Sequence, residues 1–337
     1  MTEQISITTN GNGAPPVGGR QRIGELADGH RVDSIFAVRD RDLARTRTGK
    51  DYLRLKLGDS TGIVPAVCWE DAARCFELAA PGVVVRVEGR YSISAKYGPQ
   101  IKVDSMSAAG QDSYDPEELR ASTEIPLERL ESDMRELIAT IQNPDLAALL
   151  GRFFGPESAS WQRFRQAPAA KIYHQAYTGG LLEHTLSVAQ AVSAASAYFP
   201  GIDRDIAVTG ALLHDIGKTE AYNDDPLAID LTDAGRLEGE IPLGYYKVRR
   251  AIEEIDGFDP AAGQHVLHII LSHHGSLEHG SPVVPATREA TLVHMLDNLG
   301  GTLGSFDRLE RELPEGERWS RFDRGISGSA FFARRAA

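Results

Sequence analysis

The cleanest hydrophobic alternation in the chain is Tyr52-Leu53-Arg54-Leu55-Lys56-Leu57. It puts three leucines on one face of an extended segment and two cations on the other. Similar stretches flank it. Arg31 to Val38 partly alternates, Gly58 to Gly62 reads as a turn, and Ile63 to Trp69 as a third strand. Gly82 to Tyr91 and Pro99 to Met106 supply two more strands, with a short helix predicted over Glu70 to Ala79. Past Ile125 the period changes. Apolar residues recur at helical spacing from Ile125 to about Gln142, then over Leu146–Phe154, Gly179–Tyr198, Asp205–His214, Pro242–Ile255, Ala261–Ser272 and Thr287–Leu299. Residues 1–19 are rich in Gly, Pro and Thr and are expected to be disordered. The polar, acidic stretch from Ala108 to Thr123 reads as a linker.

Five strands with one short helix between the third and fourth is the element order of an oligonucleotide/oligosaccharide-binding (OB) barrel. The pattern therefore predicts a multidomain chain, with an N-terminal all-β OB-fold barrel followed by an all-α domain. The expected boundaries are a lead over 1–20, a barrel over 21–108, a linker over 109–124 and a helical domain over 125–330. A length of 337 residues suits two cores.

The formal net charge is −12, so attraction to polyanions is not a property of the whole surface. A nucleic-acid site would have to be a local basic patch. One candidate is the first hairpin and second strand, where Arg39, Arg41, Arg45, Arg47, Lys50, Arg54 and Lys56 cluster. Lys96 and Tyr97 fall in the loop between the last two strands, another element such barrels use to hold strands. Asp40, Asp42 and Asp51 interleave with these cations, so a solvated hairpin of alternating charge accounts for them equally well. Tyr52, Trp69, Tyr91 and Tyr97 could stack on bases, although packing in the core is the simpler role for each. Cys68 and Cys75 lack metal-site spacing and read as reduced core thiols. The polar N-terminus and the lack of a membrane-length apolar run point to a cytoplasmic protein without membrane attachment.

Histidine is distributed unevenly. Nine of the ten histidines lie between His174 and His294, and the barrel region has only His30. Ala211-Leu212-Leu213-His214-Asp215 ends an apolar run in an adjacent His and Asp, with Gly217 supporting a helix terminus there. A buried Asp beside a His is costly unless a cation neutralises it, and imidazole with carboxylate is a ligand set for a divalent metal. His273-His274-Gly275 repeats the construction, and Asp297 sits on an apolar helix where an unpaired carboxylate would be expensive. With His184 these residues form the candidate ligand set. Taken singly, each has a bland reading as a satisfied core or surface side chain. His265, His268, His279 and His294 keep that reading.

His184, His214-Asp215 and Asp297 resemble the H…HD…D signature of the HD-domain metal-dependent phosphohydrolases. The match narrows with Pro168-Ala169-Ala170-Lys171, His174, Gly179-Gly180-Leu181-Leu182-Glu183-His184, His214-Asp215-Ile216-Gly217-Lys218, His273-His274-Gly275 and Asp297-Asn298-Leu299. In the barrel, Thr48-Gly49-Lys50-Asp51-Tyr52-Leu53 and Asp59-Ser60-Thr61-Gly62 fit as well. From about Gln21 to about Gly304 the chain resembles the YhaM-type 3′→5′ exoribonucleases, which join an OB fold to an HD domain. The resemblance implies divalent metal ions, two of them, with Mn²⁺ the first candidate and Co²⁺, Mg²⁺ or Fe²⁺ the others.

One ion would be held by His184, His214, Asp215 and Asp297. Asp215 would bridge to a second, held by His273, His274 and Glu240, where Glu240 stands in place of a His common in the family. Lys218 would offset phosphate charge, and His174 would contact the phosphate or the leaving 3′-oxygen. Lys171 is a candidate phosphate contact. The implied substrate is single-stranded RNA or DNA, led to the site by the OB fold and cut to nucleoside 5′-monophosphates. A homo-oligomer is compatible with this reading. Two rivals are a nucleotide or cyclic-nucleotide phosphohydrolase and a catalytically weak nucleic-acid-binding adaptor.

Overall fold

The computed structural model describes residues 20–94, 98–121, 123, 125–171, 175–311, 313 and 316–333. The N-terminal lead, Lys96, Tyr97 and His174 lie outside the described residues. The chain divides into two units, Met1–Asp115 and Pro116–Ala337.

In the first unit, β1 (Arg31–Arg45), β2 (Asp51–Asp59), β3 (Gly62–Cys68), α1 (Ala72–Leu78), β4 (Val84–Ser94) and β5 (Gly98–Ala108) follow in chain order. The strands close into a barrel in the order β1-β2-β3-β5-β4. All neighbours are antiparallel except β3 and β5, whose parallel pairing runs from Ala66↔Ile101 to Cys68↔Val103. Leu53, Leu55 and Leu57 point inward, opposite Cys68, Ala66 and Val64 of β3. The first strand extends past the expected end at Val38, because β1 serves two partners. Arg31 to Ala37 pairs with β4, and Ala37 to Arg45 with β2. A bulge between Val38 and Asp40 breaks the alternation there, and four of the six residues beyond it, Asp40, Arg41, Asp42 and Arg45, are charged.

Cys68 and Cys75 are buried and unbridged, with Cys68 Sγ 3.3 Å from Cys75 Sγ and 2.9 Å from the Glu70 carbonyl. Burial, followed by the contact with Cys75, pushes the Cys68 thiol up to about 12. Thiolate is the reactive form, so Cys68 should not react with a neutral-pH thiol reagent in the native protein. A colorimetric thiol assay should show its reaction only after denaturant is added.

The second unit is helical. It runs through α2 (Leu127–Ile138), α3 (Pro144–Phe154), α4 (Ala159–Phe164), α5 (Gly180–Ser196), α6 (Arg204–Leu213), α7 (Lys218–Ala221), α8 (Asp233–Leu237), α9 (Glu240–Glu253), α10 (Pro260–Ser272) and α11 (Arg288–Arg311). Several starts carry ordinary caps: Asn143, Asp203 and Asp259 accept backbone N–H groups of α3, α6 and α10. Leu181, Leu182, Val188, Val208, Leu212, Ile269, Ile270 and Val293 bring α5, α6, α10 and α11 into one core. α6 and α10 meet at Gly210, where a β-carbon would lie 2.2 Å from Ile269 Cδ1.

The short α4, α7 and α8 were not predicted, because four to six residues cannot display a helical period. α9 starts at Glu240, ahead of the expected Pro242, since proline is tolerated in a first turn. α11 continues through Gly300 and Gly301 to Arg311, well past the expected end at Leu299. No helix among the described residues is long and apolar enough to cross a membrane.

Candidate active site

Two of the candidate ligand histidines stand where a helix ends. His214 caps α6 and His273 caps α10. Each Nδ1 is hydrogen-bonded to a carbonyl one turn back, His214 to Ala211 at 2.6 Å and His273 to Ile270 at 2.8 Å. These carbonyls have lost their helical partners, so imidazoles satisfy them. The bond also sets the tautomer: a neutral ring then turns a bare Nε2 away from the helix. His184 comes from the second turn of α5 and Asp297 from within α11.

These side chains meet around Asp215. His184 Nε2 lies 3.4 Å and His214 Nε2 3.3 Å from Asp215 Oδ2. Asp297 Oδ1 closes the group, 3.0 Å from His184 Nε2 and 3.7 Å from His214 Nε2. The other oxygen of Asp215, Oδ1, faces His273 Nε2 at 3.6 Å. Beyond it, His274 stacks edge-on against His273 with centroids 4.3 Å apart, and its Nε2 is 3.6 Å from Glu240 Oε1. One carboxylate thus faces two ligand groups with its two oxygens. A cavity of about 270 Å³ opens beside them, lined by His273, His274, His279, His294, Asp297 and Asn298.

The electrostatics are severe. His214 and Asp215 are almost wholly buried, at 1% and 2% exposure. Burial alone would push the histidines down, but Asp215 and Asp297 outweigh it, raising His184 and carrying His214 up to about 10. Burial likewise works to raise Asp215 and Asp297. The cations around them win and hold both well below the usual carboxylate range, with Lys218 foremost at Asp215 and His184 at Asp297. Lys218 Nζ sits 2.6 Å from Asp215 Oδ2.

A divalent cation fits this donor set. His184, His214 and Asp215 each offer a ligand atom, all within 4.8 Å of one another. His214 Nε2, His273 Nε2 and Asp215 Oδ1 are buried without a hydrogen-bond partner among the described residues, which is expensive unless something binds them. Coordination requires neutral imidazole, while His214 holds its proton up to about pH 10. Metal binding at neutral pH should therefore expel protons, and affinity should rise with pH until His214 titrates. Calorimetric titrations of metal in buffers of different ionisation enthalpy would show this as a buffer-dependent heat.

Other predicted residues find different roles. α6 does end at Leu213, yet Gly217 makes no left-handed turn: its φ is −65° and it precedes α7. It is bare because a β-carbon there would lie 2.0 Å from the Glu240 carbonyl oxygen, so it lets α7 and α9 touch. Gly275 does adopt positive φ, at +80°, and the ring of His294 occupies the space of its missing side chain. His294 Nδ1 is also bonded to the His273 carbonyl at 2.8 Å, which ties α11 to the end of α10. From the sequence His294 reads as an ordinary helix residue; its place three residues before Asp297 is the signal of this role. His268 accepts the Ala286 N–H at 2.8 Å, an ordinary structural role. Lys171 is bound 2.9 Å from Asp230, which it shares with Arg236.

On the barrel, the basic hairpin is largely neutralised from within. Arg45 pairs with Asp51 at 2.7 Å, Arg54 with Asp42, Lys56 with Asp40 at 3.6 Å, and Lys50 with Glu70 at 3.9 Å. Arg41 caps the Phe76 carbonyl and lies over the Phe76 ring. Arg47 has no acidic partner among the described residues. Tyr91 is core, at 9% exposure. Tyr52 and Trp69 instead stack half-buried on the surface, with centroids 4.5 Å apart and planes 17° from parallel.

The HD domain family matches residues 181–301, and the family of OB-fold nucleic acid binding domains named for tRNA anticodon binding matches residues 35–108. Among curated proteins, the 3′-5′ exoribonuclease YhaM of Bacillus subtilis (strain 168) is 29% identical over 289 residues, covering 85% of this chain and 90% of that protein. The YhaM exoribonuclease of Geobacillus sp. (strain WCH70) is 27% identical over 294 residues, covering 86% and 88% of the two chains.

Proposed function

We propose that this chain, an OB-fold and HD-domain homologue of the YhaM 3′-5′ exoribonucleases, removes nucleoside 5′-monophosphates from the 3′ end of single-stranded RNA. It is a metal-dependent hydrolase. The observation that carries the finer reading is Asp215, whose Oδ2 faces His184 and His214 while Oδ1 faces His273. That is the arrangement a carboxylate needs in order to serve two cations at once. His184, His214, Asp215 and Asp297 would hold the first, and Asp215, His273, His274 and Glu240 the second. Bound there, divalent cations supply Lewis acidity toward the phosphoryl oxygens and lower the pKa of an attacking water.

The chain's own groups do the remainder. Lys218 balances the charge of Asp215 and stands ready, as a point cation, for a phosphate oxygen. The buried walls of α5, α6 and α10 keep bulk water from Asp215, which strengthens the charge interactions around it. His174 is proposed as a contact to the phosphate or the departing 3′-oxygen. The stacked Tyr52 and Trp69, together with the first hairpin, where Arg47 has no acidic partner among the described residues, are the proposed strand-binding elements of the barrel.

The test is digestion of 5′-end-labelled single-stranded RNA and DNA, side by side, across a titration of Mn²⁺, Co²⁺ and Mg²⁺. A ladder shortening from the 3′ end with release of 5′-monophosphates is expected on RNA. Turnover of mononucleotides with intact strands would overturn the reading in favour of a nucleotide phosphohydrolase. Glu240 is tested separately. Glu240→Ala should reduce the metal bound per chain from two ions to one, by elemental analysis, and slow hydrolysis by about 10- to 100-fold.

A further inference from the structure

The C-terminal segment beyond the HD match folds back on itself. Trp319 pairs with Phe331 and Asp323 with Gly328 as antiparallel bridges. Ser320 N–H donates to the Ala330 carbonyl, and Phe332 N–H to the Arg318 carbonyl, both at 2.8 Å. The hairpin is pinned to α11 by Arg308 on Asp323 at 2.6 Å, by Phe306 beside Phe332, and by Gly325 lying against Ser305.

What this hairpin displays is unusual for a packed segment. Trp319 is 61% exposed, Phe322 69% and Phe331 44%. Arginines recur every third residue among them, at 318, 321 and 324. Arg318 lies over the Phe331 ring at 4.6 Å, and neither Arg318 nor Arg324 has an acidic partner among the described residues. Residues 318–333 contain three arginines and one aspartate, on a chain whose net charge is −12. That aspartate, Asp323, is taken by Arg308. Solvent-facing aromatics interleaved with the guanidinium groups of Arg318 and Arg324 are what a single strand of nucleic acid requires: faces for bases and cations for phosphates. A second copy of the chain is a poorer occupant, because like hairpins meeting face to face would set six arginines against one another.

We propose that this hairpin is a second single-stranded RNA site, in which Trp319 and Phe322 stack on bases while Arg318 and Arg324 contact phosphates. The site rests on the phosphodiesterase reading only for its substrate class. Arg308 follows Asp297 on the same helix by eleven residues, about 16 Å of helical rise. The hairpin therefore belongs to the same body as the ligand cluster, placed to hold a strand on its way to or from it.

The experiment is fluorescence-anisotropy binding of labelled oligo(A) to the full chain in EDTA, so that the readout needs no turnover. Trp319→Ala with Phe322→Ala should weaken binding about tenfold or more, while Trp319→Phe, which keeps an aromatic face, should stay within about twofold. Arg318→Gln with Arg324→Gln should lower the slope of log affinity against log salt by about 1.4. Unaltered affinity and salt slope in all variants, at wild-type melting temperature, would overturn the proposal. So would a binding loss accompanied by a changed sedimentation coefficient, which would make the hairpin a contact between copies. RNA that binds through the hairpin yet is not cut would leave this site standing and remove the exonuclease reading instead.

Discussion

Asp215→Ala should cut metal-dependent phosphodiester hydrolysis by about 10³-fold or more, since several kcal/mol of charge stabilisation are lost with the ions. No neighbour can replace this carboxylate. Asp297 reaches His184 and His214, but within the ligand cluster Asp215 Oδ1 is the oxygen that faces His273. The substitution should also be felt without metal. It leaves Lys218, His184 and His214 gathered around a single remaining acid, Asp297. The stability cost should be about 3 kcal/mol, near the lower end for removing one partner of a buried pair, because the imidazoles can shed protons. Hydrolysis assays, metal analysis and urea unfolding on one preparation would separate the two effects. Persistent metal-dependent turnover would remove Asp215 from the centre of the site.

The second large effect is expected at a residue that touches no ligand. In Gly217→Ala the new β-carbon would lie 2.0 Å from the Glu240 carbonyl oxygen and 2.6 Å from Gly244 N, both of them backbone. No rotamer change relieves such a contact. The first turn of α9 must move, carrying Glu240 away from His274. Overpacking of this kind costs about 1–3 kcal/mol. Here it should also weaken the proposed second metal site selectively, which metal titration would show as one tight site and one loosened. Gly151 is the control: in mid-α3 a β-carbon meets nothing within 4 Å, so Gly151→Ala should be stabilising by about 0.5–1 kcal/mol. Equal effects at the two glycines would refute the close-approach argument.

The convergence of the candidate ligands was legible because these residues announce themselves by type. His and Asp at the ends of apolar runs are too costly to be idle, and His184, His214, Asp215, His273 and Asp297 do converge. Which oxygen of Asp215 faces which group was not legible, since that depends on how α5, α6 and α10 cross. Gly217 marked the end of α6 at Leu213 but served as a point of contact, and α11 ran on through Gly300 and Gly301. A glycine carries no mark of whether φ or crowding demands it. β2 was plain in its alternation, while the far half of β1 was hidden by a bulge and by four charged residues. The hairpin cations show the limit of composition. Their number was right, but only the register, Asp42 opposite Arg54 and Arg45 opposite Asp51, reveals that most are matched by acids.

The helix-end carbonyls that hold His214 and His273 bear on how the protein would respond to a chelator. Their ring orientations are fixed by Ala211 and Ile270 of the apolar core, and the charge of Asp215 is balanced by Lys218. Those supports are made by the chain itself. Small metal-folded domains collapse when stripped, because their binding energy is their folding energy. Here, stripping and reloading should be a reversible exchange on an intact scaffold, its speed set by dehydration of the incoming ion. Fluctuating metal supply would then change the active fraction of the protein and leave its abundance alone.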